Sequence, residues 1–417
     1  MADHRHAEGR RMRMHITIRP GSKACQSPIL CVTLLLCGLL VGAAQAQDNE
    51  SRQAPVTAPA MAIPGLQQEG PHVFRSEQGF LVMDTVQRDG VWHVVSETLP
   101  AEPLPRIVVR VDNAAHTTFE VDLRSNPGPA TAEVDRNPDR LLMLSDLEGQ
   151  FDKSVALLQA TDVIDASLHW QYGKDHVALV GDQVDRGEQS TALLWLLYRL
   201  DAEATAAGGG LHLILGNHEH MLLSGRSKYW APRQVAFASA LGAEGQHKLY
   251  GAQSVLGGWL ASKNVIARIG DHLLVHGGIS HAFLSAGLNL AEANRIARPH
   301  LFTDLQFLPP EAAVVLGELG VTWYRGMALP DDPMFVRESD PKAHLEQVLA
   351  TYGAKRLAIG HTIVPHIGLE QSGRLLRLDI DHAEQLPEAA LYEAGALWRV
   401  DAAGGRTQLD ANARSPD

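Results

Sequence analysis

Five short runs beyond residue 140 are almost wholly apolar: LLML at 141–144, HVALV at 176–180, LHLIL at 211–215, HLLV at 272–275 and RLAI at 356–359. Each stops abruptly at polar residues that are followed by a glycine or a helix-like segment. Between them, STALLWLLYRLDAEATA (190–206) and AHLEQVLATYGA (343–354) place apolar residues at helical spacing. Strands alternating with helices predict an α/β core. In such sheets, sites form beyond the carboxyl ends of the strands.

The flanks follow other patterns. GFLVMDTVQRDGVWHVVSETL, residues 79–99, shows two β-rich runs around Asp89-Gly90, a hairpin signal. RIVVRVDN and TTFEVDLR extend it into a small β-subdomain, expected over 73–125 and read as a structural add-on. A Pro/Asn/Asp-rich break at 126–140 separates it from the main domain, expected over 141–402. LLRLDI and ALYEAGALWRVDA, 375–380 and 390–402, look like closing strands, followed by a frayed tail over 403–417. LPDDPMFVRESDP, 329–341, reads as a surface loop, and 47–72, rich in Pro, Ala and Gln without an apolar period, as a flexible linker.

Composition narrows the class. With 45% hydrophobic and 20% charged residues in 417, this is a globular chain, not a disordered or fibrous one. Its first 46 residues differ: Arg5, Arg10, Arg11, Arg13, Arg19 and Lys23 precede an apolar run from Ile29 to Val41 and a small-residue site at Ala44-Gln45-Ala46. That is the form of a cleaved secretory signal, giving a periplasmic or secreted protein. An uncleaved anchor is the rival reading, weakened because the run is shorter than the ~20 residues a spanning helix needs. Cys25, Cys31 and Cys37 all lie in this leader, so the rest of the chain has neither disulfides nor thiolate chemistry. Without the leader, 30 basic residues face 46 acidic ones, a net of −16. A binder of nucleic-acid backbone needs the opposite balance.

The chemistry lies at the strand ends: SDLEG at 145–149, GDQVDRG at 181–187, GNHE at 216–219, HGG at 276–278 and GHT at 360–362. Asp, Glu, Asn and His are oxygen and nitrogen donors for divalent cations, and the glycines let the backbone turn to aim them. Converging on one rim, they are enough for two ions. A lone HGG or GHT means little; GDQVDRG and GNHE, in order with the rest, leave a coincidence of caps and turns improbable.

This ordered set resembles the calcineurin-like metallophosphoesterases, in their Ser/Thr-phosphatase branch, with GDxHG, GDxVDRG, GNHE and HGG motifs. GHT, and WYRG at Trp323 to Gly326, point further to the bacterial-type Shewanella-like phosphatases. The resemblance covers about residues 141–381. It implies an α/β fold in which a central β-sandwich is flanked by helices in four layers, with two metals at the strand ends. It also implies that Asp146 and Asp182 bind the first ion, that Asp182 bridges to the second, and that Asn217, His276 and His361 complete the second. Manganese is the expected metal, with iron, zinc or magnesium as alternatives. Two ions ~4 Å apart would lower the pKa of a bridging water and neutralise the phosphoryl oxygens. His218 would protonate the leaving oxygen and Asp185 would hold its imidazole. Arg186, Arg325 and Asn217 would bind the substrate phosphate, the arginines as planar donor pairs.

One position departs from the family pattern, which has His two residues after the first Asp where this chain has Glu148. Either Glu148 replaces the imidazole as an oxygen ligand and makes the site harder, or one ligand is lost. The first reading is preferred here, since Glu is a competent ligand and the rest of the set is intact. His220, His281, His366 and His382 match no ligand position; Trp195, Trp230 and Trp259 read as core, and Glu219 as a residue that orients loops. The expected function is an exported phosphatase of phosphomonoesters, phosphotyrosine or phosphoserine and phosphothreonine in proteins, acting by direct attack of a metal-bridging hydroxide. A nucleotide or dinucleoside polyphosphate hydrolase is one alternative. A phosphate-binding pseudo-phosphatase, for which Glu148 is the evidence, is the other.

Overall fold

The computed structural model describes residues 63–125, 127–332, 334 and 340–410. The expected signal segment, the linker up to residue 62 and the last seven residues lie outside them, as does part of the 329–341 loop. Two six-stranded sheets form the centre. One runs in the order Gly368–Glu370, Leu375–Arg377, Arg356–Ile359, His272–Val275, Ile266–Ile269 and Glu133–Val134. The other runs Arg406–Gln408, Ala396–Asp401, Glu388–Glu393, Arg140–Leu144, His176–Val180 and Gly210–Ile214. All five apolar runs are strands. Arg140–Leu144, His176–Val180 and Gly210–Ile214 are mutually parallel, as are His272–Val275, Arg356–Ile359 and Leu375–Arg377 in the facing sheet.

Burial explains why those runs show no alternation. Leu141, Met143, Ala178, Val180 and Ile214 point inward and share a core with Leu274, Ala358, Leu376 and Leu378 of the opposite sheet. Their neighbours Leu142, Leu144, Val177 and Leu179 point outward into a second core with the helices, including Leu193 and Trp195. Both faces are covered, so every position is apolar, each fully buried Leu or Val contributing ~1.5–3 kcal/mol. The result is a β-sandwich flanked by helices.

The N-terminal strands do not form a separate body. Val73, Phe80, Val109, Val121 and Leu123 belong to the same core as Trp195 and Tyr198 of the helix Ser190–Ala207. Trp195 donates from Nε1 to the Pro71 carbonyl at 2.8 Å, and the Tyr198 hydroxyl accepts from the Arg124 amide at 2.9 Å. Thr191 donates to Glu69 Oε1 at 2.5 Å. Every residue from Ser190 to Leu200 is buried, as a helix sandwiched between two layers must be. Residues 63–72, assigned from composition to a flexible linker, are therefore built in from Leu66 onward, with Leu66, Glu69 and His72 buried. At the other end, Arg406–Gln408 pairs with Ala396–Asp401, so the tail read as frayed from 403 starts as an edge strand. The first difference comes from distant partners and the second from a short hairpin, neither of which composition reveals. No helix among the described residues is long and apolar enough to cross a membrane.

Candidate active site

Asp146 and Asp182 stand two residues past the parallel neighbours Arg140–Leu144 and His176–Val180, and the loops they open stay zipped together. The Asp146 amide donates to Gly181 O at 2.9 Å, the Glu148 amide to Asp182 O at 3.0 Å and the Gly149 amide to Gln183 O at 2.9 Å. From the facing sheet, His276 follows His272–Val275 directly and His361 lies two residues past Arg356–Ile359. Asn217 opens the helix Asn217–Leu223. Asp146, Asp182 and His361 have φ of 54°, 55° and 66°, and Glu148, Asp185 and Arg186 have φ of 47°, 72° and 58°. This left-handed region costs a non-glycine residue ~1–3 kcal/mol and is held only where surrounding structure enforces it.

The motif glycines act mainly as clearance. A Cβ at Gly216 would lie 2.1 Å from Asp182 Oδ1, and one at Gly360 2.0 Å from Ser145 Oγ and 2.4 Å from Asp146 Oδ2. Gly181, at φ +86°, serves both purposes, since its Cβ would lie 2.3 Å from the His276 ring. The turning role expected of the motif glycines thus holds for Gly149 and Gly181, whereas Gly216 and Gly360 make room for a carboxylate.

Asp182, His276 and His361 form a buried group in which one ligand atom from each lies within 4.8 Å of the others. His276 Nδ1 meets the Val180 carbonyl at 2.8 Å, which directs Nε2 to Asp182 Oδ2 at 2.9 Å and Asn217 Oδ1 at 3.1 Å. His361 Nε2 meets the Trp323 carbonyl at 3.1 Å, which leaves Nδ1 for the cluster. Backbone carbonyls that fix the imidazole tautomer are a frequent second layer around metals. One carboxylate, two imidazoles and a carboxamide oxygen suit a divalent ion of intermediate hardness. Asp146 lies alongside, with Oδ2 accepting from the His361 amide at 3.2 Å and from Ser145 Oγ.

Beside this group, His218 Nδ1 meets Asp185 Oδ2 at 2.6 Å, and the His218 amide donates to Asp182 Oδ1 at 2.9 Å. Arg325 reaches the rim, donating to the His361 carbonyl and to Thr362 Oγ1 at 3.0 Å, with Nη2 3.3 Å from His361 Nδ1. Arg186 donates from its backbone to the Tyr229 carbonyl at 2.8 Å. Glu148 is placed differently from the preferred reading of the sequence. Its Oε1 forms an ion pair with Arg186 Nη1, and it is not among the buried group. Of the residues predicted for the site, the structure brings together Asp146, Asp182, Asn217, His276 and His361, with His218, Asp185, Arg186 and Arg325 around them.

Burial and charge set the protonation states. Burial would raise the Asp182 carboxyl, but the His276 and His218 rings outweigh it and hold it well below the usual range. Burial pushes the Asp146 carboxyl far up, reinforced by the charge of Asp379. His276 resists burial through Asp182 and Asp146 and is pushed up to about 10. His218 also ends above its ordinary value, burial being outweighed by Asp182 and Asp185. His361 moves the other way, through burial and the neighbouring His276 charge. Glu219 accepts from the amides of Asp182, Gln183 and Gly216 at 2.9, 2.7 and 2.7 Å, tying two motif loops together. Asp379, which the sequence reading passed over, is buried, and burial raises it to about 7. Its signal was present: LLRLD is an apolar run ending in Asp, like LLMLSD.

The comparisons agree with this geometry. The calcineurin-like phosphoesterase family matches residues 139–365. Shewanella-like protein phosphatase 2 of Arabidopsis thaliana is 28% identical over 271 residues, 54% of this chain and 66% of that one. Shewanella-like protein phosphatase 1 of Plasmodium berghei is 24% identical, over 54% and 62%. Among solved structures, a cold-active protein-tyrosine phosphatase of a psychrophilic Shewanella species is 29% identical with a TM-score of 0.71, covering 82% of this chain and all of its own. Together these support a phosphoric monoester hydrolase. The matched segment exceeds half of the sequence and contains every strand end that supplies the site, so the chain belongs to the calcineurin-like phosphoesterase family.

Proposed function

We propose that this protein is an exported, metal-dependent phosphoprotein phosphatase that transfers the phosphoryl group of its substrate directly to water. The observation that carries the reading is the His218–Asp185 pair at 2.6 Å, buried beside Asp182. Asp185 accepts from Nδ1 and so keeps the second proton on Nε2. With its pKa raised, His218 holds that proton to higher pH than an ordinary imidazole and can give it to the departing oxygen. Arg186 and Arg325 supply planar donors for the phosphoryl oxygens. Glu148 holds the Arg186 guanidinium until a phosphate competes for it.

Asp146, Asp182, Asn217, His276 and His361 would hold two divalent ions, manganese first, which when bound supply activated water and neutralise charge on the phosphate. The thiolate route has no support, because Cys25, Cys31 and Cys37 all fall in the leader. Substrate class rests on the tyrosine-phosphatase neighbour and the phosphoprotein phosphatases among the relatives. Export rests on the basic, then apolar, then small-residue order of the first 46 residues.

The test is hydrolysis by chelator-stripped protein titrated with Mn²⁺, on an aryl phosphate, phosphotyrosyl and phosphoseryl peptides, and dinucleoside polyphosphates. Metal-restored activity that favours the peptides is expected. Preference for the dinucleotides would overturn the substrate class, and inactivity of folded protein with every divalent ion would overturn the enzyme. For export, the protein recovered from the periplasm or medium should begin at Gln47.

A further inference from the structure

We propose that Asp379 is a ligand of the first metal site, supplying the donor that the family takes from the position of Glu148. The inference rests on the two-metal reading above and refines it. With Glu148 paired to Arg186, the first site keeps two protein donors, Asp146 and the shared Asp182. Catalytic ions are usually held by at least three.

The fold delivers a third. Leu375–Arg377 runs parallel to Arg356–Ile359 with Arg377 opposite Ile359, and the Leu378 amide donates to Ile359 O at 2.9 Å. Two residues past Arg377, Asp379 lies beside the loop that carries His361. The Val364 amide closes on the Asp379 carbonyl at 2.8 Å, so the main chain is fixed there. The carboxylate belongs to a residue only 4% exposed, and among the described residues nothing donates a hydrogen bond to it. The Asp146 and Asp182 carboxyls are within electrostatic range, as are His276 and Arg325. A buried carboxylate among two others needs compensation, which in the metal-free chain comes from bound protons, the His276 imidazolium among them, and which a metal ion can replace. A divalent cation between Asp146 and Asp379 provides it, and it explains how the chain dispenses with the family's histidine. Glu148 is then free to act as a positioning residue for Arg186.

Equilibrium dialysis of the full chain against Mn²⁺, followed by elemental analysis, tests the assignment without relying on turnover. The parent should bind two ions. Asp379→Asn should bind one, and Glu148→Gln should still bind two. Without metal, Asp379→Asn should melt at or above the parent temperature, because it removes a buried charge that has no donor. Two ions in Asp379→Asn at parent affinity would overturn the proposal, and so would a loss confined to Glu148→Gln. Failure of metal-free Asp379→Asn to fold would also overturn it, since the protein itself would then be holding the carboxylate. Fewer than two ions in the parent would instead bring down the two-metal reading beneath it.

Discussion

Asp146 and Asp182 stand in left-handed backbone, and their carboxylates fit only because a glycine on an adjoining loop has no side chain. Position and clearance are thus two separate demands on the same few residues. Gly360→Ala separates them, because Gly360 needs no positive φ and matters only for space. Its Cβ would lie 2.4 Å from Asp146 Oδ2, so the variant should fold and lose metal affinity by ~10- to 100-fold, as disturbance of ligand support typically does. A Mn²⁺ titration checks this, and unchanged affinity would mean that Asp146 does not bind metal. His218 makes a second demand, on protonation. Its raised pKa comes from Asp182 and Asp185 working against burial. Since the acid form is the active one, kcat should fall with rising pH only above the ordinary 6.5. In Asp185→Asn one supporting charge is gone, so that limb should move to lower pH, while the pH-independent kcat falls by ~10²-fold or more. A pH–rate profile that drops in height but does not shift would deny His218 the role of general acid.

At the scale of elements, the helix Ser190–Ala207 decides whether the N-terminal strands are ornament or structure. Trp195 is fully buried in a core shared with Val73 and Phe80, and its Nε1 bonds to the Pro71 carbonyl. Trp195→Ala should destabilise the whole protein by ~3–5 kcal/mol in a denaturant titration. A single cooperative transition is expected, because the N-terminal strands and the sandwich share that core; two transitions would mark the strands as an independent unit. The same helix shows where sequence reading succeeds and where it stops. LLML, HVALV and RLAI were legible because strands covered on both faces are unbroken apolar runs, Asp182 and His218 because they sit inside long motifs, and His361 because GHT follows those motifs in order. Ile266–Ile269 was passed over, since Arg268 breaks a run of only four residues. The burial of Leu66 and Glu69 could not be read locally, since their partners lie more than a hundred residues away. Asp379 was passed over although LLRLD ends as LLMLSD does; only the pairing of Leu375–Arg377 with Arg356–Ile359 shows that it lies beside the loop carrying His361.

For the molecule as a whole, folding, protonation and metal loading form one linked equilibrium. In the metal-free chain, His276 is raised from 6.5 to about 10 by Asp182 and Asp146, against burial. A raised histidine stabilises the fold fully below its unfolded value and loses that contribution as pH climbs through its folded one. The imidazolium therefore does the work of a cation among buried carboxylates up to neutral pH, and the window of loss lies between 6.5 and about 10. A metal ion bound by His276 Nε2 must displace that proton, since a protonated nitrogen cannot coordinate. Two consequences can be measured. Calorimetric titration with Mn²⁺ at pH 7.5, in two buffers of different ionisation enthalpy, should show release of about one proton or more per chain. The rise in melting temperature on adding Mn²⁺ should also be larger at pH 9 than at pH 6, because at the higher pH the metal-free chain has lost its internal cation and the ion meets less competition. Equal shifts at both values, with no proton released, would mean that Mn²⁺ binds somewhere other than His276. The buried cluster would then be an ion-pair network serving the fold alone.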